Sequence, residues 1–164
     1  VSTPPRVLIT GMSGTGKSSV LEALRSRGCE VVETDVDGWS VWGALPGSAD
    51  EGWLWDGDRM AELLARPRPR PLVVSGCVAN QGRFYPHFEK VVLLSAPAEV
   101  ILARVAARTT NPYGKSAEEQ AEIIANLREV EPLLRRGADV EFDTSRMTVA
   151  EVADTLLALI GTTG

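Results

Sequence analysis

The sequence predicts an α/β fold, with a parallel sheet and helices on both of its faces. Three observations carry that prediction. Five short apolar runs, near residues 6–10, 30–34, 72–75, 91–94 and 140–143, alternate with stretches of helical periodicity. The runs are largely continuous in apolar character rather than alternating, as in strands buried on both faces. Between the first run and the first helical stretch stands Gly11-Met12-Ser13-Gly14-Thr15-Gly16-Lys17-Ser18, which fits G-x-x-x-x-G-K-[ST] at every fixed position.

In order along the chain, Val1 to Pro5 reads as a loose lead-in and Arg6-Val7-Leu8-Ile9-Thr10 as a buried strand. Lys17 to Arg27 reads as a helix with Val20, Leu21 and Leu24 on one face. Strand, glycine loop and helix together form a triphosphate cradle. The N–H groups of the loop, from Gly11 through Ser13, Gly14, Thr15 and Gly16 to Ser19, wrap phosphate oxygens, and the helix N-terminus adds positive potential. Lys17 is expected to reach the β- and γ-phosphates, and Ser18 to ligate Mg²⁺.

Glu30-Val31-Val32-Glu33-Thr34 reads as the second strand, ending at Asp35-Val36-Asp37-Gly38. The next stretch, to Asp58, holds all four tryptophans: Trp39, Trp42, Trp53 and Trp55. Pro46-Gly47 marks a turn within it, and a helix is expected from about Asp50 to Arg66. Alternating prolines forbid helix in Arg66-Pro67-Arg68-Pro69-Arg70-Pro71, which reads as a solvated connector into the strand Leu72–Ser75.

Val91–Leu94 is the fourth strand. Ser95 and Pro97 then open a helix that ends near Arg108. Thr109 to Lys115 is a polar loop. Ser116-Ala117-Glu118-Glu119 is a capping box before a long helix carrying Ile123, Ile124, Leu127 and Val130. Val140–Asp143 is the last strand, and Thr148 to Glu151 caps the final helix.

The totals narrow the function. At 164 residues the chain makes one domain, spanning 1–164. A net charge of −5 argues against a nucleic-acid or anionic-membrane surface. Two cysteines, Cys29 and Cys77, read as thiols in a reducing cytoplasm. No signal peptide is visible, and no apolar run approaches the ~20 residues of a membrane span.

Ligands in parallel sheets gather at the carboxyl ends of the strands. That rim holds the phosphate loop, Asp35, Asp37, Ser75 to Gln81, Ser95 and Thr144. A GTPase would show Asn-Lys-x-Asp, and none is present. A motor-type ATPase would place an acid at the end of an apolar strand, yet Leu72–Ser75 and Val91–Leu94 both lead to serine. The useful acids follow the second strand, where Asp35 and Asp37 can orient Mg²⁺ waters or take a proton from an acceptor hydroxyl.

With these features the chain resembles the small P-loop kinases, the group of shikimate kinase, gluconate kinase and the nucleoside monophosphate kinases. The resemblance spans nearly the whole chain. It implies a three-layer P-loop fold with strand order 2-3-1-4-5, ATP and Mg²⁺ as donor and cofactor, and a small-molecule acceptor. Asp35-x-Asp37 resembles shikimate kinase most, which implies a Mg²⁺ role for Asp35 and an acceptor or base role for Asp37. Arg128, near Pro132-Leu133, resembles the arginine that follows the lid and reaches phosphate and substrate. Asp143-Thr144-Ser145 resembles the adenine-side loop, which implies nucleotide contacts for Thr144 and Ser145. The chain departs from shikimate kinases in reading Ser75-Gly76-Cys77-Val78 where they have three glycines. It departs from nucleoside monophosphate kinases in lacking a Gly-Phe-Pro-Arg-like loop.

Other candidates follow from position. Arg104 and Arg108, one helical turn apart, flank a lid at about 108–116 and could clamp the transferring phosphoryl group, as could Lys115. Arg59 and Arg83 could hold an acidic acceptor, and Asn80 and Gln81 could bind its hydroxyls, with the acceptor region at about 36–65. The expected activity is ATP-dependent phosphorylation of a small hydroxylated metabolite by a monomer or homodimer. The alternatives are a nucleoside or nucleotide kinase, or an NTPase or regulatory module.

Overall fold

The computed structural model describes residues 4–109 and 112–161. In chain order, β1 (Arg6–Thr10) leads into α1 (Lys17–Ser26) and β2 (Glu30–Glu33). Next come β3 (Ser40–Ala44), β4 (Glu51–Trp55), α2 (Gly57–Ala65) and β5 (Leu72–Ser75). A 3₁₀ segment, Gln81–His87, precedes β6 (Lys90–Ser95) and α3 (Ala98–Ala107). The chain closes with α4 (Ala117–Glu129), α5 (Glu131–Gly137), β7 (Val140–Asp143) and α6 (Val149–Gly161).

The main sheet runs β2-β5-β1-β6-β7, and every pairing in it is parallel. Counted within this sheet alone, the order is second, third, first, fourth, fifth, as expected. Successive side chains of a strand point to opposite faces, and β1 uses both faces fully. Val7 and Ile9 join Val20, Leu21, Leu24, Val152 and Leu156 beneath α1 and α6. Leu8 joins Trp55, Met60, Leu63 and Leu64 under α2. A third cluster, Ala96, Ile101, Val105 and Ile123, binds α3 to α4.

Three expectations are corrected. The helix expected from about Asp50 begins only at Gly57, where the Asp56 side chain accepts a hydrogen bond from Arg59 N–H as an N-cap. Residues 51–55 form β4 instead, which pairs antiparallel with β3 in a separate hairpin. Aromatic residues favour the pleated surface, and Trp42 lies opposite Trp53 with their rings edge to face at 5.4 Å. The long helix expected through Val130 breaks there, because Pro132 starts a new helix, α5. The arginine–proline connector is not fully solvated. Arg68 is buried, donates to the Leu63 and Arg66 carbonyls, and pairs with Glu30 at 3.4 Å.

The hairpin is tied to the sheet by Trp55, which is buried. Its indole N–H donates to Thr34 Oγ1 at 2.9 Å, and Thr34 Oγ1 in turn donates to the Ser75 carbonyl. Gly76 makes this possible, since a Cβ there would stand 2.2 Å from Thr34 Oγ1. Asp56 N–H donates to the Trp39 carbonyl at the hairpin base. These bonds set the tryptophan stretch over the carboxyl ends of β2 and β5.

Candidate active site

At the carboxyl rim the phosphate loop opens a cleft of about 970 Å³ between α1, α3 and the loop after β7. The loop's path depends on its glycines. Gly14 and Gly16 have φ of 84° and 98°, and a Cβ on Gly11 would lie 2.4 Å from the Leu94 carbonyl oxygen. Thr15 is buried, and its hydroxyl donates to the Met12 carbonyl, so its side chain shapes the loop from within. Ser13, Gly14, Gly16, Lys17, Ser18 and Ser19 all line the cleft.

The Lys17 ammonium folds over the loop and donates to the Gly11 and Met12 carbonyls at 2.6 and 3.0 Å. Dehydration pushes its pKa below the ordinary lysine value. Negative potential from Cys77, Asp35 and Glu33 works against that fall, and the positive charge of Arg108 adds to it.

Ser18 meets an acid that the motif alone did not identify. Its hydroxyl donates to Glu33 Oε1 at 2.7 Å. Glu33 ends β2 and stands in register with Ser75 of β5. An acid therefore does end a strand beside the phosphate loop, on β2 rather than on β5 or β6. The strand expected to run through Thr34 stops one residue earlier, so Glu33 is its terminal residue.

Asp35 lines the main cleft and also a smaller adjoining cavity of about 340 Å³, bounded by Thr34, Val36, Gly38, Ser40, Trp53, Cys77 and Val78. Asp37 lines neither cavity. It sits on an exposed turn with φ of 61°, and its carbonyl accepts from Arg59 Nη1 at 2.5 Å. Arg59 is held there, with its guanidinium 3.8 Å from the centroid of the Trp39 ring.

On the other wall, Arg104 donates to the Gly14 carbonyl, to Thr144 Oγ1 and to the Thr144 carbonyl. Thr144 Oγ1 donates to the Thr15 carbonyl at 2.8 Å, so one arginine and one threonine lock the phosphate loop to the loop after β7. Ser145 turns back onto Asp143 and does not line the cleft. Arg108 donates to Ser13 Oγ and to the Tyr113 carbonyl, while its buried Nε–H has no partner among the described residues. A buried unpaired donor on a phosphate cleft is chemically matched to an anionic oxygen. Lys115 instead donates to the Ala106 and Arg108 carbonyls at the end of α3. Thr110 and Asn111 of the expected lid lie outside the described residues.

The remaining candidates lie elsewhere. Asn80 is buried and exchanges both hydrogen bonds with the Trp55 backbone, which commits its amide to holding the hairpin. Gln81 is buried too, with bonds to Val78 N–H, Thr10 Oγ1 and Tyr85 Oη. Their placement on the rim is as expected, but their amides serve the protein. Arg83 is exposed beside Phe84, and Arg128 is exposed on α4; neither lines the cleft.

Comparison with known proteins places this geometry. A family described as an AAA domain matches residues 7–125. The chain belongs to that family. Solved structures share its architecture over nearly its whole length. Shikimate kinase from Acinetobacter baumannii in complex with shikimate is 22% identical, with 98% of this chain and 95% of that one covered at a TM-score of 0.67. The protein TT1252 from Thermus thermophilus is 19% identical, with coverage of 99% and 100% and a TM-score of 0.60. Shikimate kinase from Bacteroides thetaiotaomicron is 16% identical, with coverage of 96% and 98% and a TM-score of 0.61. At these identities the likeness is one of fold alone. In this AAA-domain chain, no helix among the described residues is long and apolar enough to cross a membrane.

The residue that sequence reasoning passed over is Glu33, whereas Cys77 and Trp53 were placed on the rim and in the acceptor region without a role of their own. Glu33 is the terminal residue of β2, an acid at the end of a strand. Cys77 follows β5, lines both cavities and lies close enough to Lys17 to affect its charge.

Proposed function

We propose that this chain is an ATP-dependent phosphotransferase that moves the γ-phosphoryl group onto a hydroxyl of a small molecule. The observation that carries the reading is the position of Asp35. One carboxylate borders both the phosphate cleft and the smaller cavity beside it, so it can serve a donor phosphate and an acceptor hydroxyl together.

Each residue then has a task its chemistry allows. The loop N–H groups and Lys17 hold the β- and γ-phosphates, with Lys17 exchanging its two carbonyl partners for phosphate oxygens. Ser18 supplies an oxygen suited to Mg²⁺, Glu33 orients that hydroxyl, and Asp35 lies near enough to Lys17 to act at the same end of the cleft. Bound Mg²⁺ would neutralise phosphate charge during transfer. Asp35 orients the acceptor hydroxyl and accepts its proton. Arg108 offers its unpaired Nε–H to the phosphoryl oxygens, and Arg104 and Thr144 hold the nucleotide side of the cleft. The 108–116 segment acts as a lid, and residues of the 36–65 region form the acceptor wall. The two free thiols suit a reducing cytoplasm.

The test is ADP release from Mg²⁺-ATP with and without candidate acceptors. ADP release that depends on an acceptor supports the phosphotransferase. Rapid release with no acceptor, unchanged by any acceptor added, would make the chain an NTPase instead.

A further inference from the structure

The smaller cavity has a distinct chemical character. Asp35 is its one ionisable carboxylate, and no lysine, arginine or histidine lines it among the described residues. Two of its other polar groups are already committed: Thr34 Oγ1 lies between Trp55 Nε1–H and the Ser75 carbonyl, and Ser40 Oγ donates to the Thr34 carbonyl at 2.7 Å. No hydrogen bond reaches the Asp35 carboxylate among the described residues, so it is the open acceptor of the cavity.

Trp53 also lines the cavity. Its side chain is exposed, and it is held in place from two sides. Trp42 packs against it edge to face, and its carbonyl accepts from Ala79 N–H at 3.2 Å. Arg59 could have supplied a cation here. Its Nη1, 3.3 Å from where a Cβ on Gly38 would stand, is bound to the Asp37 carbonyl instead, and its guanidinium is stacked on Trp39.

Building on the phosphotransferase reading above, we propose that the acceptor is a hydroxylated ring without an acidic group, with one hydroxyl on Asp35 and an apolar face on Trp53. The volume of about 340 Å³ lies at the lower end of small-molecule sites and suits a molecule of one or two rings. An aromatic plane accommodates the C–H face of a cyclitol or sugar, or the base of a nucleoside. A carboxylate or phosphate on the acceptor would face Asp35 with no cation on the wall to offset it. Such like-charge juxtaposition is the device by which sites reject a wrong partner.

The experiment uses the full chain and matched acceptor pairs: myo-inositol with shikimate, glucose with gluconate, and adenosine with AMP. Acceptor-dependent ADP release is read from Mg²⁺-ATP, and binding is read by tryptophan emission. We expect a neutral member to exceed its acidic partner by about tenfold or more in kcat/KM. Trp53→Ala should then raise the KM for that acceptor by roughly tenfold while the KM for ATP stays within about twofold. An acidic member favoured over its neutral partner overturns the inference and leaves the phosphotransferase reading standing. If no acceptor raises ADP release, the phosphotransferase reading falls and binding decides the pocket chemistry. Neutral rings that bind the wild type more tightly than Trp53→Ala support it; no binding, or tighter binding of the acids, overturns it.

Discussion

The Ser18 hydroxyl donates to Glu33 Oε1 at 2.7 Å, which joins the last residue of the phosphate-loop motif to the last residue of β2. On the proposed reading Ser18 offers its oxygen to a cation, and the adjacent carboxylate orients it. Outer partners of this kind tune metal affinity by about 10–100-fold. Glu33→Ala should therefore move the Mg²⁺ dependence of turnover to higher concentration by about that factor. Binding of metal-free nucleotide should change much less. A Mg²⁺ titration at saturating ATP reads the shift, and an unmoved midpoint would remove Glu33 from the site.

The two aspartates after β2 make different predictions. Asp35 opens onto both cavities, whereas Asp37 faces neither and contributes its carbonyl to Arg59. General-base catalysis supplies roughly 10²–10⁴-fold. Asp35→Asn should lower kcat by an amount in that range and leave ATP affinity nearly intact. Asp37→Asn keeps the backbone bond and should lower kcat far less. If Asp37→Asn proves the more damaging change, the assignment of the acceptor-facing carboxylate is reversed.

Lys17 couples charge to both stability and ligand binding. Its folded pKa is lowered, mainly by dehydration. Between that lowered value and the unfolded value of 10.5, the unfolded chain holds more protons than the folded one. Stability from this group therefore rises with pH across that window. On the proposed reading, triphosphate affinity should have the opposite slope there, because it would use the charged ammonium. Subtracting the pH profile of Lys17→Met from that of the wild type removes the other titrating groups. The difference in ligand-free stability should climb toward pH 10.5, and ATP should raise the melting temperature of the wild type but not of the variant. A flat difference profile would show that the ammonium is not dehydrated.

The pattern of what was legible follows from how local each signal is. The phosphate loop could be read because its glycines, lysine and serine act at fixed spacing within one turn. The parallel sheet could be read because continuous apolar strands such as Leu72–Ser75 must be buried on both faces, whereas its strand order came only from the resemblance to the small P-loop kinases. The β3–β4 hairpin was hidden because its stability comes from cross-strand contacts such as Trp42 with Trp53, which no helical or alternating pattern in either segment announces. Glu33 was hidden by one residue of strand length, and pairing to β5 sets that length. Asn80 and Gln81 have the polarity of ligand-binding groups, but only their burial and partners reveal their use.

That use leads to the last prediction. Asn80 satisfies both the N–H and the carbonyl of Trp55, at 2.8 and 3.1 Å, in a buried setting. Removing the amide leaves two buried backbone groups without partners, and each such group costs on the order of 1–3 kcal/mol. Gln81→Leu keeps the volume but strips partners from Val78 N–H and from the Thr10 and Tyr85 hydroxyls. Both variants should lower the denaturant midpoint with little change in the slope of the transition. If either side chain instead served the acceptor directly, its loss would raise the acceptor KM while the midpoint stayed in place. A stability loss in Asn80→Ala should also loosen Trp53, whose carbonyl is held by the adjacent Ala79 N–H, so any rise in its acceptor KM should scale with the fall in midpoint. Measuring both quantities on the same preparations separates a residue that builds the acceptor wall from one that touches the acceptor.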